Sequence, residues 1–162
     1  MSDKRPEVIL TFGNHESQTV EDLLKKAHDL GRKIRVIVVD SGPEYPGRNM
    51  VKRLAKHGIE CQYTLISMVS FIINTVTKVF LSSSYILQNG ALVAPMGTSI
   101  IGCIAQKNQI PVVVVCETYK FEERVNLDQI NNNEQGATDE FKENYLRKQC
   151  PNNTCLEEII QQ

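Results

Sequence analysis

Ile34-Arg-Val-Ile-Val-Val39 decides the fold, because nothing polar interrupts it between Arg35 and Asp40. A strand with one wet face alternates apolar and polar residues. A continuous β-branched run is what a strand covered on both faces requires, and that is the condition of a parallel sheet. Asp40-Ser-Gly-Pro-Glu-Tyr-Pro-Gly47, rich in turn formers, must then be the loop beyond its carboxyl end.

Working outward, Val8-Ile-Leu-Thr11 predicts an earlier buried strand with a polar loop, Phe12 to Glu16, behind it. Val20, Leu23, Leu24, Ala27 and Leu30 repeat at helical spacing, with Gly31 placed to cap the end. Met50, Val51, Leu54 and Ala55 mark a second helix, capped at Gly58. Residues 62–66 read as a third strand, Val69 to Val76 as a short helix, and Val79 to Leu81 as a fourth strand. Asn89-Gly90 predicts a tight hairpin, since both residues tolerate positive φ. Ile100, Ile101, Ile104 and Ala105 form a helical stripe, and Pro111-Val-Val-Val-Val-Cys116 closes the series as a buried strand. Five strands separated by helices imply right-handed crossovers, hence an α/β, Rossmann-like parallel sheet with helices on both faces in three layers. The domain reads as residues 1–126, with 127–162 a polar, partly mobile extension of it that includes Asn131-Asn-Asn-Glu-Gln-Gly136.

The totals exclude several classes of function. The 162 residues suit one domain, and 18 basic against 19 acidic side chains leave a net charge of −1, with no Lys/Arg block to meet nucleic acid. Residues 1–6 are polar, unlike a signal peptide, and the tract Val69 to Leu87 is too polar to span a bilayer. The cysteines, at positions 61, 103, 116, 150 and 155, are odd in number and lack a C-x-x-C pair. Cys103 and Cys116 are expected to be buried thiols; Cys150 and Cys155 without histidines make a poor zinc site. The expectation is a cytoplasmic protein with no metal and no cofactor.

In a parallel sheet ligands bind beyond the carboxyl ends of the strands. Only Gly13 follows the first strand, where a dinucleotide would need G-x-G-x-x-G, so Asp40 has no nucleotide ribose to hold; no P-loop is present either. His15 with Glu16 is the most reactive-looking pair, although neighbours in sequence seldom converge on one atom. Ser82-Ser-Ser84 lacks a nucleophile elbow and reads as a capping hydroxyl cluster. Gly97-Thr98 at a helix start either holds a phosphate on free amides or serves close packing. Asp40 satisfies loop amides on the plainer reading. Glu117-Thr-Tyr-Lys-Phe121 with Glu122-Glu-Arg124 puts aromatics and charges at a strand exit, as an interface would.

Two of these runs resemble a known family. Asn89-Gly-Ala-Leu-Val-Ala-Pro-Met-Gly-Thr98 and Pro111-Val-Val-Val-Val-Cys-Glu-Thr-Tyr-Lys-Phe-Glu-Glu-Arg-Val125 are similar to the regulatory subunits of translation initiation factor 2B. That family's relatives are the isomerases of methylthioribose 1-phosphate and ribose 1,5-bisphosphate. Ile9-Leu-Thr11, and Val38-Val-Asp-Ser41 with Pro43, Gly47 and Arg48, extend the resemblance, which covers residues 8–126. The run Cys116 to Val125 is most similar to the delta type, with alpha and beta also open. By the resemblance, the isomerases' catalytic cysteine falls at Gly13, their catalytic aspartate at Ser84, a phosphate-handling Asn-Lys pair at Ala94-Pro95 and an arginine at Gly42. Moving a proton between neighbouring carbons takes a positioned acid and base, which glycine and serine do not supply.

The resemblance therefore implies a non-catalytic subunit of the guanine-nucleotide exchange factor for initiation factor 2. A sugar-phosphate isomerase or sensor is the alternative. It implies a vestigial sugar-phosphate pocket at Gly13, Asn14, Asp40, Ser84, Asn89, Gly97 and Thr98. It also implies dimerisation, with itself or a sister subunit, through Asn89, Gly90, Glu117, Tyr119, Lys120, Phe121 and Arg124. Its partners would be the other initiation factor 2B subunits and initiation factor 2, without membrane or nucleic acid. The family's helical N-terminal domain and its final strand and helix are not recognisable in the chain.

Overall fold

The apolar runs assemble, in a computed structural model that describes residues 6–14, 18–42 and 44–123, into a five-stranded parallel sheet. Its strands are β1 (Glu7–Phe12), β2 (Ile34–Asp40), β3 (Glu60–Leu65), β4 (Lys78–Ser82) and β7 (Val112–Val115). Their order is β3-β2-β1-β4-β7, every pair parallel. Two short strands, β5 (Tyr85–Leu87) and β6 (Leu92–Val93), intervene, and β8 (Phe121–Glu122) follows.

The two-sided burial expected of the run after Arg35 is realised at each of residues 36–39. Val36 and Val38 face one half of the core with Ile9, under α1 (Gln18–Asp29) and α2 (Gly47–Lys56), where Val20, Leu24, Met50 and Leu54 are buried. Ile37 and Val39 face the other half with Leu10 and Phe12, under α3 (Val69–Ile72) and α4 (Thr98–Lys107), where Val69, Ile73, Ile101 and Ala105 are buried. The result is three layers with the sheet in the middle. The helix ends fall where the glycines predict them. Arg32 N–H reaches Ala27 C=O past Gly31, and Ile59 N–H reaches Leu54 C=O past Gly58.

Four expectations need correction. The segment after β3 is not one helix: α3 is a single turn set between 3-10 turns at Ile66–Met68 and Ile73–Thr75. Its β-branched residues hold a helix poorly, and Thr75 Oγ1 donates back to Ile72 C=O at 2.7 Å. The strand after Pro111 is not buried. At the edge of the sheet among the described residues, β7 leaves Val112 and Val113 38 % and 43 % exposed. For the same reason Cys116 is only half-buried, and Cys103 lies on the outer side of α4 and is exposed.

The fourth correction concerns the hairpin. Its loop holds three residues, 88–90, with Gly90 N–H bonded to Leu87 C=O and Leu87 N–H to Ala91 C=O. Only Gly90 takes a positive φ, +80°, while Asn89 acts through its side chain, whose Oδ1 accepts from Ala91 N–H at 3.0 Å. This is a turn closed by a glycine bulge rather than a two-residue hairpin. The hairpin also gains a partner, since β8 pairs in parallel with β5 to make a second sheet, β6-β5-β8.

His15, Glu16, Pro43, Arg124, Cys150, Cys155 and the extension 127–162 lie outside the described residues. Among the described residues no helix is long and apolar enough to cross a membrane, and no His, Cys, Asp or Glu cluster is arranged to hold a metal ion.

Candidate functional site

The carboxyl ends of β1, β2 and β4 bring Gly13, Asn14, Asp40, Ser82, Ser83 and Ser84 to one edge of the sheet. Gly13 donates its N–H to Val39 C=O at 2.8 Å, which holds the chain flat against β2 as it leaves β1. The first residue of α2 then lies directly on it. A Cβ built on Gly13 would stand 2.3 Å from Gly47 Cα and 3.2 Å from Val38 Cγ1. Gly47 is equally confined, since its own Cβ would stand 2.7 Å from Asp40 Cγ. Two glycines and a carboxylate are stacked with no room for a further atom, so nothing larger than hydrogen fits at position 13.

Asp40 is fully buried, and both its oxygens are engaged. Oδ1 accepts from Ser41 N–H at 2.9 Å and Oδ2 from Tyr63 O–H at 3.0 Å. The sequence suggested the first bond; the second, from a neighbouring strand, has no sequence signal. Burial first, and the Asp40 bond with it, pushes the Tyr63 phenol above its ordinary value. Arg48, held protonated chiefly by its hydrogen bond to Tyr63, stacks 4.7 Å above the Tyr45 ring. Tyr45 folds back over Gly42, where a Cβ would come 3.0 Å from its hydroxyl. The Tyr45 ring therefore covers Gly42 and leaves little room for a side chain there.

Ser82 Oγ donates to Asn14 Oδ1 at 3.0 Å and ties the β4 exit to the β1 exit. Ser84 donates its N–H to Val93 C=O at 2.8 Å, so its backbone serves the hairpin. Gly97 packs its backbone against Phe12 and Ile66, whose side-chain atoms would lie 3.1 and 2.8 Å from a Cβ there. Close packing is thus one real duty of Gly97. Three hydroxyls, those of Thr11, Ser83 and Thr98, are nevertheless buried without a hydrogen-bond partner. Asn89 stands apart from this group at the hairpin tip. A separate hollow of about 430 Å³ lies at the amino end of the sheet, lined by His28, Arg32, Lys33 and Glu60 among others, remote from all of these residues.

Glu117 leaves β7 into a charged knot. One carboxylate oxygen accepts from Thr19 Oγ1 at the start of α1; the other lies 2.9 Å from Lys120 Nζ, an ion pair without hydrogen-bond alignment. Lys120 in turn donates to Ser83 C=O at 3.1 Å. The Thr19 bond first, then Lys120, brings the Glu117 carboxyl down to about 2. An unfolded Glu titrates near ~4.3, so this contribution to stability is complete above that value and is lost as pH falls towards the folded value. Urea midpoints of the wild type and Glu117→Gln should accordingly differ at neutral pH and converge as the solution approaches pH ~2. A difference that stays constant with pH would rule out this account.

The second sheet unites the two segments singled out as an interface. Ile86 pairs with Leu92 on one side and with Phe121 on the other, so the three side chains form an apolar row across the sheet. Leu92 is exposed, and Phe121 and Tyr119 are 64 % and 79 % exposed, so neither aromatic closes the core. Tyr85 and Val93, opposite each other on the other face, are exposed as well. The parallel pairing of β8 with β5 has no local sequence signal, because the paired residues lie far apart in the chain.

Comparison with known proteins shows the family and the fold. The pattern of the Initiation factor 2 subunit family matches residues 4–159. Translation initiation factor eIF2B subunit delta of Schizosaccharomyces pombe is 46 % identical over 135 residues, 83 % of this chain and 28 % of that protein. Ribose 1,5-bisphosphate isomerase of Archaeoglobus fulgidus is 37 % identical over 113 residues, 70 % of this chain and 36 % of that one. Among solved structures, the tetrameric eIF2B-beta2-delta2 complex from C. thermophilum superimposes with a TM-score of 0.72 at 31 % identity, covering 78 % of this chain and 40 % of that one. This chain thus spans well under half the length of these relatives.

Proposed function

This chain belongs to the initiation factor 2 subunit family, and from that footing we propose that it is a non-catalytic regulatory subunit of the delta type. It acts in the cytoplasm, in the exchange factor that serves initiation factor 2, through contacts with sister subunits. One observation carries the reading. The place where a proton-shuttling side chain would leave β1 is filled by the Gly47 backbone, 2.3 Å from any Cβ on Gly13. The crowding at position 13 supports a subunit without acid–base chemistry there, and so points function to the surface. The most distinctive exposed feature is the apolar row Leu92, Ile86 and Phe121, with Tyr119 beside it.

Co-expression with a beta-type subunit tests this. The two chains should elute together, and Phe121→Asp should separate them without lowering the melting temperature, since Phe121 is largely exposed. Separate elution of the wild-type chains, or turnover of ribose 1,5-bisphosphate by this chain, would sink the proposal.

A second reading, a sugar-phosphate sensor, draws on the unpartnered hydroxyls of Thr11, Ser83 and Thr98. Buried polar groups without protein partners are the kind that a bound anion satisfies. Calorimetric binding of the bisphosphate without turnover would favour it.

A further inference from the structure

β8 is two residues long, and it meets β5 in only two pairs, Ile86 with Phe121 and Leu87 with Glu122. So short a parallel ladder does not fix its own register. The slanted bonds of a parallel pair hold less firmly per residue, and a slip of one residue turns every side chain to the other face. Something outside the ladder decides that Phe121 lands beside Ile86.

The residues just before β8 supply it. Glu117 opens a 3-10 turn over Thr118–Lys120, closed by Lys120 N–H on Glu117 C=O at 3.1 Å. Both charged ends of the turn are tied to other elements. Glu117 accepts from Thr19 Oγ1 on α1, and Lys120 Nζ donates to the C=O of Ser83, between β4 and β5. The two ends also hold each other, Nζ to carboxylate at 2.9 Å. Burial sets them apart from their neighbours: Lys120 is 13 % and Glu117 30 % exposed, while Tyr119 between them and Phe121 after them face outward. The Glu117 oxygen towards Lys120 is itself buried, so salt screens this pair less than one on the open surface.

We propose that Thr19, Glu117 and Lys120 are positioning residues for the contact surface. They clamp the 3-10 turn between α1 and the root of β5, and so set the register in which β8 presents Phe121. This role rests on the reading of the apolar row as the surface that meets a sister subunit. Partner affinity then depends on a hydroxyl at the start of α1, an element apart from the second sheet.

Affinity of the full chain for a beta-type subunit, measured below the melting temperature of every variant, tests it. Thr19→Val weakens binding by roughly tenfold, and Thr19→Ser keeps it, because serine still donates to Glu117. The double variant Thr19→Val/Glu117→Ala binds no more weakly than Glu117→Ala alone, since one bond is lost only once. Hydrogen exchange in the free chain is the second readout: Thr19→Val quickens exchange over Thr118 to Glu122 and leaves β2 protected. The positioning role is overturned, with the surface reading intact, by any of four results in a chain whose wild type binds. These are a Thr19→Val variant that binds as tightly as wild type, a Thr19→Ser variant as weak as Thr19→Val, additive losses in the double variant, or unchanged exchange over Thr118 to Glu122. A wild type that binds no beta-type subunit overturns the surface reading instead, and the role falls with it.

Discussion

Gly13→Cys lowers the stability of the domain by about 3 kcal/mol and confers no isomerase activity. A cysteine at this position puts a thiol where the resemblance places the isomerases' catalytic cysteine, but its Cβ meets the Gly47 backbone at 2.3 Å. Backbone cannot rotate away as a side chain can, so the start of α2 must shift, and Gly47 is itself pressed against the buried Asp40 carboxylate. Gly13→Ala should cost nearly as much, because the first added carbon is the offender. Urea unfolding measures both; the midpoint falls while the slope is unchanged. A Gly13→Cys protein as stable as the wild type, or one that converts ribose 1,5-bisphosphate, would show the contact to be softer than drawn.

The second large effect lies on the same α1–α2 face of the sheet, at Glu21. This side chain on α1 is fully buried, yet charged. Arg53 of α2 grips it with Nε at 2.9 and 2.8 Å and a terminal nitrogen at 2.7 Å, and Lys25 adds a contact at 2.7 Å. Burial pushes the Glu21 carboxyl up, but the two cations together outweigh it, and the net displacement is downward. The cost of a substitution therefore depends on which partner is removed. Arg53 is half-exposed and Lys25 a quarter exposed, so both find water if Glu21 is lost. Glu21 finds none if they are lost.

The double variant Lys25→Met/Arg53→Met should lose about 3 kcal/mol, whereas Glu21→Leu with Arg53→Met should lose much less. The pH dependence should also invert. In the wild type the depressed carboxyl contributes stability above its unfolded value and loses it as pH falls. In the double variant burial is unopposed, the folded value rises above the unfolded one, and stability is lost instead as pH rises. Urea midpoints at about pH 4 and about pH 7 distinguish the two signs. A variant that still gains stability towards neutral pH would contradict the scheme.

The layered fold was legible because β2 and β1 state their environment locally. An unbroken apolar strand cannot be half-wet, and Gly31 and Gly58 fall where helices must end. The apolar run at Pro111 misled for a related reason: composition reports what a strand tolerates, not whether a neighbour arrives to cover it. Asp40 accepts from one loop amide, Ser41 N–H, as the plainer of its two sequence readings expects, but its Tyr63 bond crosses between strands and leaves no trace in sequence spacing. The hairpin tip and the Glu117 to Phe121 segment were each recognisable by residue type. Their union through the pairing of β5 with β8 joins distant parts of the chain, and no periodicity announces such a contact. Glu21 was hidden among ordinary helix-surface acids, since nothing local indicates that Arg53 will fold over it.

That pairing of β5 with β8 has a consequence for inherited variation. The exposed row is stitched together only after the chain has passed through β6, α4 and β7, so its geometry is inherited from everything in between. A conservative change at Ile101 or Ala105, on the buried face of α4, can tilt β7 and with it the landing place of Phe121. Loss of partner recognition would then map to positions that no partner ever touches.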